Sequence, residues 1–146
     1  MLTLTEFAKR ISEIMPFIMR EFSRRQANEL YKGKITVPQF FILDYLYTQD
    51  GSRMTDLAKF MHVTTAAMTG IVERLVKCGY VVRIPEPDDR RIIKVKITPR
   101  GLELVKRICH QRRQMTINIF GKLSEDDRKE YLRLLTRLRD ILLEAK

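Results

Sequence analysis

Apolar residues recur at steps of three and four along much of the chain, a spacing that predicts amphipathic helices. The first stripe covers residues 4–31 and consists of Leu4, Phe7, Ile11, Ile14, Ile18 and Phe22. Pro16 falls inside this stripe. Because proline lacks a backbone N–H, we expect the helix to kink or to restart there. Residues 32–34 (Lys-Gly-Lys) are expected to end it.

A second helix is predicted to begin just after residue 36. Thr36 and Gln39 have the spacing of a capping box, and Pro38 is tolerated in a first helical turn. The apolar residues that follow face more than one side of the helix, which is typical of a buried scaffold. Residues 49–52 (Gln-Asp-Gly-Ser) are expected to form the turn that closes this helix.

Two short helices separated by a polar break follow this turn. Residues 54–61 and 65–78 carry apolar positions at helical spacing, and residues 62–64 interrupt the pattern. Gly79 is expected to stop the second of these helices, because glycine adopts the left-handed conformation that a helix end favours. The pair predicts a helix-turn-helix.

Two β-branched runs follow the helix-turn-helix directly. Residues 80–84 and 92–97 are rich in strand-forming residues. The connection 85–91 is polar and contains two prolines, which predicts an exposed hairpin loop. The order of elements from residue 54 to residue 98 therefore predicts a winged helix-turn-helix, in which the hairpin is the wing.

Two further helices are predicted after the wing. The first starts at Thr98 or Pro99 and ends at Gly121, and its inner face consists of Leu102, Val105, Ile108 and Met115. Ser124 is expected to cap the second, where carboxylates in the first turn suit the helix dipole. Apolar residues then recur at coiled-coil-like spacing at Tyr131, Leu134, Leu135, Leu138, Ile141, Leu142 and Ala145. This stripe lies outside the winged module and lacks a covering surface of its own.

Five segments of the chain resemble the multiple antibiotic resistance regulator (MarR) family of bacterial transcription factors. They are Thr36-Val37-Pro38-Gln39-Phe40, Leu57-Ala58, Val72-Glu73-Arg74-Leu75 followed by Gly79, Pro87-Asp88-Asp89-Arg90-Arg91, and Ile97-Thr98-Pro99-Arg100-Gly101. The resemblance implies a mainly α fold with about six helices and a two-stranded β wing. Residues 36–98 would form the DNA-binding module, and residues 1–35 and 99–146 would form dimerisation helices of one intertwined domain.

The outer face of the helix predicted over residues 65–78 is the candidate for contact with DNA bases. The start of this surface, at Thr64, Thr65, Ala66 and Thr69, offers hydroxyl and methyl groups and contains no Arg, Lys, Asn or Gln, the side chains that make bidentate base contacts. We therefore hypothesise modest direct readout, contact with thymine methyls and discrimination by groove shape. An alternative for Thr64 is that it only caps the helix. The candidates on this helix are Thr64, Thr65, Ala66, Thr69, Glu73 and Arg74.

The wing carries the second group of candidates. In the family an Asp-x-Arg pattern shapes the wing and its arginine reaches into the minor groove, which the resemblance assigns to Asp89 and Arg91. A narrow minor groove attracts guanidinium groups, although a solvated tip remains the alternative. The wing candidates are Arg83, Asp89, Arg90, Arg91 and Lys94, and further phosphate contacts are predicted for Arg53 and Lys96.

The terminal helices of the family interlock across a two-fold axis, and two adjacent DNA half-sites also require a symmetric dimer. The predicted dimerisation residues are Leu4, Phe7, Ile11, Tyr131, Leu134, Leu138 and Ile141. Family members commonly release DNA when a small aromatic or phenolic effector binds between the dimerisation helices and the winged module. The corresponding cleft would be lined by Phe17, Phe40, Tyr45 and Ile108, which core packing explains equally well.

Composition adds limits to this interpretation. The formal net charge of +10 indicates a polyanionic partner, but the excess of cations is spread along the chain. No window approaches about 18 uninterrupted apolar residues, and no signal-peptide pattern is present, so we expect no membrane segment and a cytoplasmic location. Cys78 and Cys109 lack disulfide or zinc spacing. The chain offers no catalytic constellation, so we expect no enzyme, no metal and no cofactor.

The sequence thus favours a homodimeric, sequence-specific regulator that binds a pseudo-palindromic duplex operator. The expected mode is repression that a small ligand relieves. Two alternatives stay open. An architectural DNA-binding protein would bind all duplexes with one affinity, and a winged-helix interaction module would bind protein instead of DNA.

Overall fold

The structure is a computed structural model that describes residues 1–25 and 35–145. Its elements in chain order are α1 (Leu4–Arg25), α2 (Val37–Tyr47), β1 (Ser52–Arg53), α3 (Met54–Phe60), α4 (Thr65–Lys77), β2 (Val81–Pro85), β3 (Ile93–Ile97), α5 (Pro99–Phe120) and α6 (Glu125–Glu144). Two compact units are distinguished, residues 1–110 and residues 111–146. The predicted mainly α fold with a winged helix-turn-helix is confirmed.

The first helix is one continuous element. It passes through Pro16 without a break, so the helix does not restart there. The kink, the other expectation for Pro16, stays a prediction. Proline removes a single bond from the helical ladder, and the turns on either side keep theirs. None of the residues of α1 is buried. The predicted extension over residues 26–31 and the predicted end at residues 32–34 lie outside the described residues.

The predicted cap of α2 is confirmed. The Gln39 N–H donates to Thr36 Oγ1 at 3.4 Å, and the Thr36 N–H donates to Gln39 Oε1 at 2.9 Å. Pro38 lies in the first turn. Four apolar side chains of the helix are buried, namely Phe40, Ile42, Leu43 and Leu46. The predicted role of α2 as a buried scaffold is therefore confirmed as well.

The two helices of the helix-turn-helix pack through the predicted faces. Leu57 and Ala58 of α3 are buried, as are the α4 residues Met68, Val72 and Leu75. His62, in the turn between the helices, has a φ of +52°, a left-handed conformation that only a few per cent of residues other than glycine adopt. Gly79 has a φ of +76°, which confirms the predicted end of α4.

The sheet contains one strand more than the predicted wing. Its order is β1-β3-β2 with antiparallel pairing, and Ser52 of β1 lies opposite Val95 of β3. The strands β2 and β3 form the wing hairpin, with Val81 opposite Ile97. β1 has only two residues, which is too short for an alternating pattern to be visible in the sequence. The predicted two-stranded wing is thus extended by a strand that joins it to the start of α3.

A hydrophobic core joins α2, α3, α4, the sheet and the first part of α5. The α5 residues that enter it are Leu104, Val105 and Ile108. Two members of the predicted inner face, Leu102 and Met115, are only partly buried. The inner face was therefore predicted correctly at Val105 and Ile108 but not at Leu102 and Met115, and Leu104 is buried in place of Leu102.

The second unit contains the end of α5 and the whole of α6. The Asp127 N–H donates to Ser124 Oγ at 3.1 Å, which confirms the predicted cap of α6. The rings of Phe120 and Tyr131 lie 5.1 Å apart between centroids. None of the residues of α6 is buried, so its apolar stripe is exposed in this single chain.

The start of α5 is held against the start of β2 by backbone contacts. The Thr98 hydroxyl donates to the Gly79 carbonyl at 2.6 Å, and the Thr98 N–H donates to the Tyr80 carbonyl at 3.0 Å. The Gly101 N–H donates in turn to Thr98 Oγ1 at 3.1 Å. A Cβ added at Gly101 would lie 2.2 Å from the Tyr80 carbonyl oxygen, so this contact requires glycine.

We expect the substitution Gly101→Ala to lower the free energy of unfolding by about 2 kcal/mol or more, because the new methyl group would displace backbone rather than a flexible side chain. Urea unfolding followed by circular dichroism measures this change. Gly70→Ala is the matched control, since a Cβ at Gly70 meets nothing within 4 Å. Gly70→Ala should raise the free energy of unfolding by up to about 1 kcal/mol, because alanine has the higher helix propensity. Equal effects of the two substitutions would contradict this account.

Candidate nucleic-acid interface

The N-terminal part of α4 presents the predicted base-contacting residues to solvent. Thr64, Thr65, Ala66 and Thr69 are all exposed. Thr64 Oγ1 accepts the N–H of Ala67 at 3.1 Å, so the capping role weighed for Thr64 is present. The Thr69 hydroxyl donates to the Thr65 carbonyl at 2.9 Å. Its methyl group and its oxygen lone pairs remain available to a ligand.

The later part of α4 adds one acidic and one basic candidate. Glu73 is exposed and lies 3.9 Å from the Lys77 ammonium, a weak pair one helical turn away. Arg74 is exposed and forms no ion pair with any residue that the structure describes. The surface of α4 therefore combines small hydroxyl and methyl groups with a guanidinium that has no ion-pair partner among residues 1–25 and 35–145.

The wing tip is shaped by hydrogen bonds within residues 86–92. The Glu86 N–H donates to the Ile92 carbonyl at 2.9 Å, and the Ile92 N–H donates to the Asp89 carbonyl at 3.0 Å. Asp89 Oδ1 accepts the backbone N–H of Arg91 at 3.0 Å. Asp89 thus contacts the backbone of Arg91 rather than its guanidinium. Arg90 and Arg91 are exposed and form no ion pair with the described residues.

Strand pairing decides which sheet face each cation occupies. Lys94 lies opposite both Arg53 of β1 and Ile84 of β2, and directly opposed residues share a face. Val95, the next residue of β3, is fully buried, so Lys94 and Lys96 lie on the face that points away from the core. Arg83 lies opposite Val95 but is itself exposed.

Three of the predicted phosphate-contacting cations already have carboxylate partners. Glu86 Oε1 lies 3.2 Å from Lys94 Nζ and 3.5 Å from Arg53 Nη2. Lys96 Nζ lies 2.9 Å from Asp50 Oδ1, and this hydrogen-bonded ammonium lowers the pKa of the Asp50 carboxyl from its ordinary value. The sequence does not show these pairs, because they depend on the strand register and on the turn at the wing.

The residues predicted to line an effector cleft lie in different environments. Phe40 and Ile108 are buried in the core, with 1% and 2% of their surface exposed. Tyr45 is half-buried and stacks on Phe60 at 4.4 Å between ring centroids. Phe17 is exposed on α1. Core packing, the alternative considered for these residues, therefore describes Phe40 and Ile108.

Sequence reasoning missed a surface cavity of about 310 Å³ on the α5 side of the core. It is lined by Tyr80, Arg100, Glu103, Leu104 and Arg107. The Arg100 guanidinium lies over the Tyr80 ring, 5.3 Å from its centroid. Tyr80 and the α5 residues of this lining lie close together because Gly101 lets α5 approach the Tyr80 carbonyl, and nothing in the sequence alone signals that approach.

All the predicted dimerisation residues are exposed in this chain. Leu4, Phe7 and Ile11 of α1 retain 82%, 48% and 38% of their surface, and the α6 stripe is equally open. Residues 1–25 and 35–145 contain no group of three potential metal ligands. Within the same residues, no helix is both long enough and apolar enough to cross a membrane.

The exposed recognition-type helix, the hairpin with a cationic tip and the shared core define a winged helix-turn-helix protein of the DNA-binding class. A family model described as MarR family matches residues 35–93. The multiple antibiotic resistance protein MarR of Salmonella typhimurium is 29% identical over 102 residues, which is 70% of each chain. These matches show that the chain is similar to the MarR family of transcription regulators.

Solved structures agree with this assignment. A MarR family protein from Bacillus stearothermophilus superposes with a TM-score of 0.84 at 18% identity, covering 97% of this chain and 99% of that one. A mutant of MepR from S. aureus bound to an oligodeoxyribonucleotide superposes with a TM-score of 0.68 at 25% identity, covering 90% and 96%. The first shows the fold, and the second is a relative seen with DNA.

We expect Thr64→Ala to lower the free energy of unfolding by about 1 kcal/mol, because the Ala67 N–H would lose its cap. Thermal unfolding followed by circular dichroism measures this loss. Thr64→Ser keeps the hydroxyl and should restore stability, whereas Thr65→Ala removes no cap and should leave it nearly unchanged. A Thr65→Ala variant as unstable as Thr64→Ala would argue against the capping contact.

Proposed function

We propose that this protein is a homodimeric transcription repressor that binds a pseudo-palindromic duplex operator and releases it when a small aromatic ligand binds. The observation that carries the DNA-binding part is the pairing of an exposed α4 surface with a wing tip whose two arginines have no carboxylate partner among the described residues. Such a pair can occupy a major groove and the adjacent minor groove. The protein acts in the cytoplasm, where bacterial DNA lies, and has no catalytic role.

Recognition in this proposal divides between two surfaces. Thr65, Ala66 and Thr69 of α4 contact bases through hydroxyl and methyl groups, and Arg74 contacts a neighbouring phosphate. Arg90 and Arg91 enter the minor groove, where a narrow groove concentrates negative potential. Direct readout is modest because α4 offers no bidentate side chain at its exposed start, so groove shape supplies much of the discrimination.

Dimerisation is proposed from the uncovered apolar faces of α1 and α6. Two long helices without a single buried residue leave more apolar surface open than monomeric proteins usually tolerate. A two-fold interface covers the same patch on both subunits and places two copies of α4 on successive half-sites. The two chains of the dimer then each bind one half of the palindromic operator.

Effector release is the third part of the proposal. Phe17 and Tyr45 keep accessible ring surface, while Phe40 and Ile108 form the core behind Tyr45. An aromatic ligand that stacks on accessible rings gains dispersion and quadrupole interactions. Adding small phenols and phenolic acids to the preformed protein–operator complex tests this part. Release by none of them would remove the effector from the proposal without affecting DNA binding.

We expect Arg91→Gln to weaken binding to the duplex from upstream of the protein's own gene by about tenfold and to reduce the salt slope by about 1. Fluorescence anisotropy across a salt series measures both quantities, with a shuffled duplex of equal composition as the reference. Arg139→Gln is the matched control, because Arg139 pairs with Asp140 on α6. Unchanged binding by Arg91→Gln would contradict the wing assignment. One affinity for both duplexes would favour the architectural alternative.

We expect Leu138→Glu to shift the protein from two chains towards one in sedimentation velocity, because a carboxylate would enter the apolar interface. Operator affinity should fall with it, since one chain contacts one half-site. Thr136→Glu introduces the same charge on another side of α6, where the Thr136 hydroxyl donates to the Leu132 carbonyl. A Leu138→Glu protein that stays dimeric would rule out this interface.

A further inference from the structure

A single carboxylate joins cations of two neighbouring strands at the base of the wing. Glu86 follows β2 directly, and one of its oxygens, Oε1, lies 3.2 Å from Lys94 Nζ on β3 and 3.5 Å from Arg53 Nη2 on β1. The Glu86 backbone is fixed by its N–H bond to the Ile92 carbonyl. The carboxylate therefore lies where the wing loop begins and contacts one cation on each of the other two strands.

The strand register explains why a carboxylate is favourable at this point. Arg53 and Lys94 lie directly opposite each other in the β1–β3 pair. Like charges in directly opposed positions destabilise a sheet, and an anion between them removes that repulsion. The side chain of Glu86 is 18% exposed, whereas those of Lys94 and Arg53 are 38% and 50% exposed. The carboxylate is the most shielded member of the group, so solvent screens it least.

The same arrangement changes what these cations can offer to DNA. Contacts with phosphates give affinity that does not depend on sequence, and each neutralised phosphate adds about 0.9 to the salt slope. Glu86 neutralises part of the charge of Arg53 and Lys94 and occupies some of their N–H donors, so both contribute less to phosphate binding. The carboxylate itself also repels the DNA backbone. Arg90 and Arg91 at the wing tip face no such competition within the described chain.

We propose that Glu86 is a specificity-determining residue: it withholds Arg53 and Lys94 from DNA phosphates and thereby lowers the affinity of the protein for DNA of any sequence. This inference rests on the proposed DNA-binding function. The wing then contains two classes of cation, a tip that contacts DNA and a base that an internal anion keeps occupied. Binding to unrelated DNA consists almost entirely of phosphate contacts, so it is the binding that Glu86 reduces most.

The test compares the wild-type protein with Glu86→Gln, which keeps the shape of the side chain and removes its charge. Fluorescence anisotropy across a salt series is measured on the duplex from upstream of the protein's own gene and on a shuffled duplex. For the shuffled duplex we expect Glu86→Gln to bind about tenfold more tightly at low salt, with a slope steeper by about 1 to 2. The preference for the native duplex should fall.

Glu130→Gln is the matched control, because Glu130 also pairs with an arginine, Arg133, but on α6. Glu130→Gln should leave the salt slope unchanged on both the native and the shuffled duplex. Arg53→Gln should have little effect on shuffled-duplex binding in the wild-type background and should remove part of the gain in the Glu86→Gln background. Circular dichroism melts confirm that every variant is folded at the temperature of the binding measurements.

An unchanged or shallower slope in folded Glu86→Gln, with normal binding by the wild type, would overturn this inference and leave the proposed function intact. Equal gains on both duplexes would overturn the role in specificity. Failure of the wild-type protein to bind either duplex at low salt would reject the proposed function, and this inference with it.

Discussion

Burial of α2 is the constraint on which the positions of α4 and the wing depend. Its apolar side chains face more than one direction, and the helix packs against both α4 and β3. Because protein interiors are close-packed, α4 and β3 are each held in a fixed position relative to α2, and therefore relative to each other. The Thr36–Gln39 capping box fixes the residue at which α2 begins. The spacing between α4 and the wing is therefore a property of the core rather than of the loops.

Local chemistry made much of this fold predictable from the sequence. Thr36, Gly79 and Ser124 carry side-chain or backbone signals that act within a few residues, and each ends or begins a helix as expected. Elements that depend on distant partners were not predictable. β1 exists only because β3 pairs with it, and Leu104 rather than Leu102 is buried because Gly101 lets α5 approach Tyr80.

The candidate interface, like the fold, has features that the sequence predicts and features that it does not. Helical periodicity places the α4 threonines on an exposed face, and the Pro-rich segment places two arginines at the wing tip. The sequence does not distinguish a free cation from a paired one, because pairing requires the register that brings Lys94 and Arg53 to Glu86 and Lys96 to Asp50. Aromatic residues such as Phe40 are equally ambiguous, since a core and a ligand cleft use the same side chains.

The contact between Gly101 and the Tyr80 carbonyl has a consequence for how such a chain can change over time. Every replacement of glycine by another amino acid adds a Cβ, so no single nucleotide substitution that alters the residue avoids the overlap with that carbonyl oxygen. The exposed neighbour Arg100 meets no such barrier. Mutation can therefore change an exposed α5 position such as Arg100, whereas the point at which α5 approaches the Tyr80 carbonyl, just before β2, stays closed to substitution.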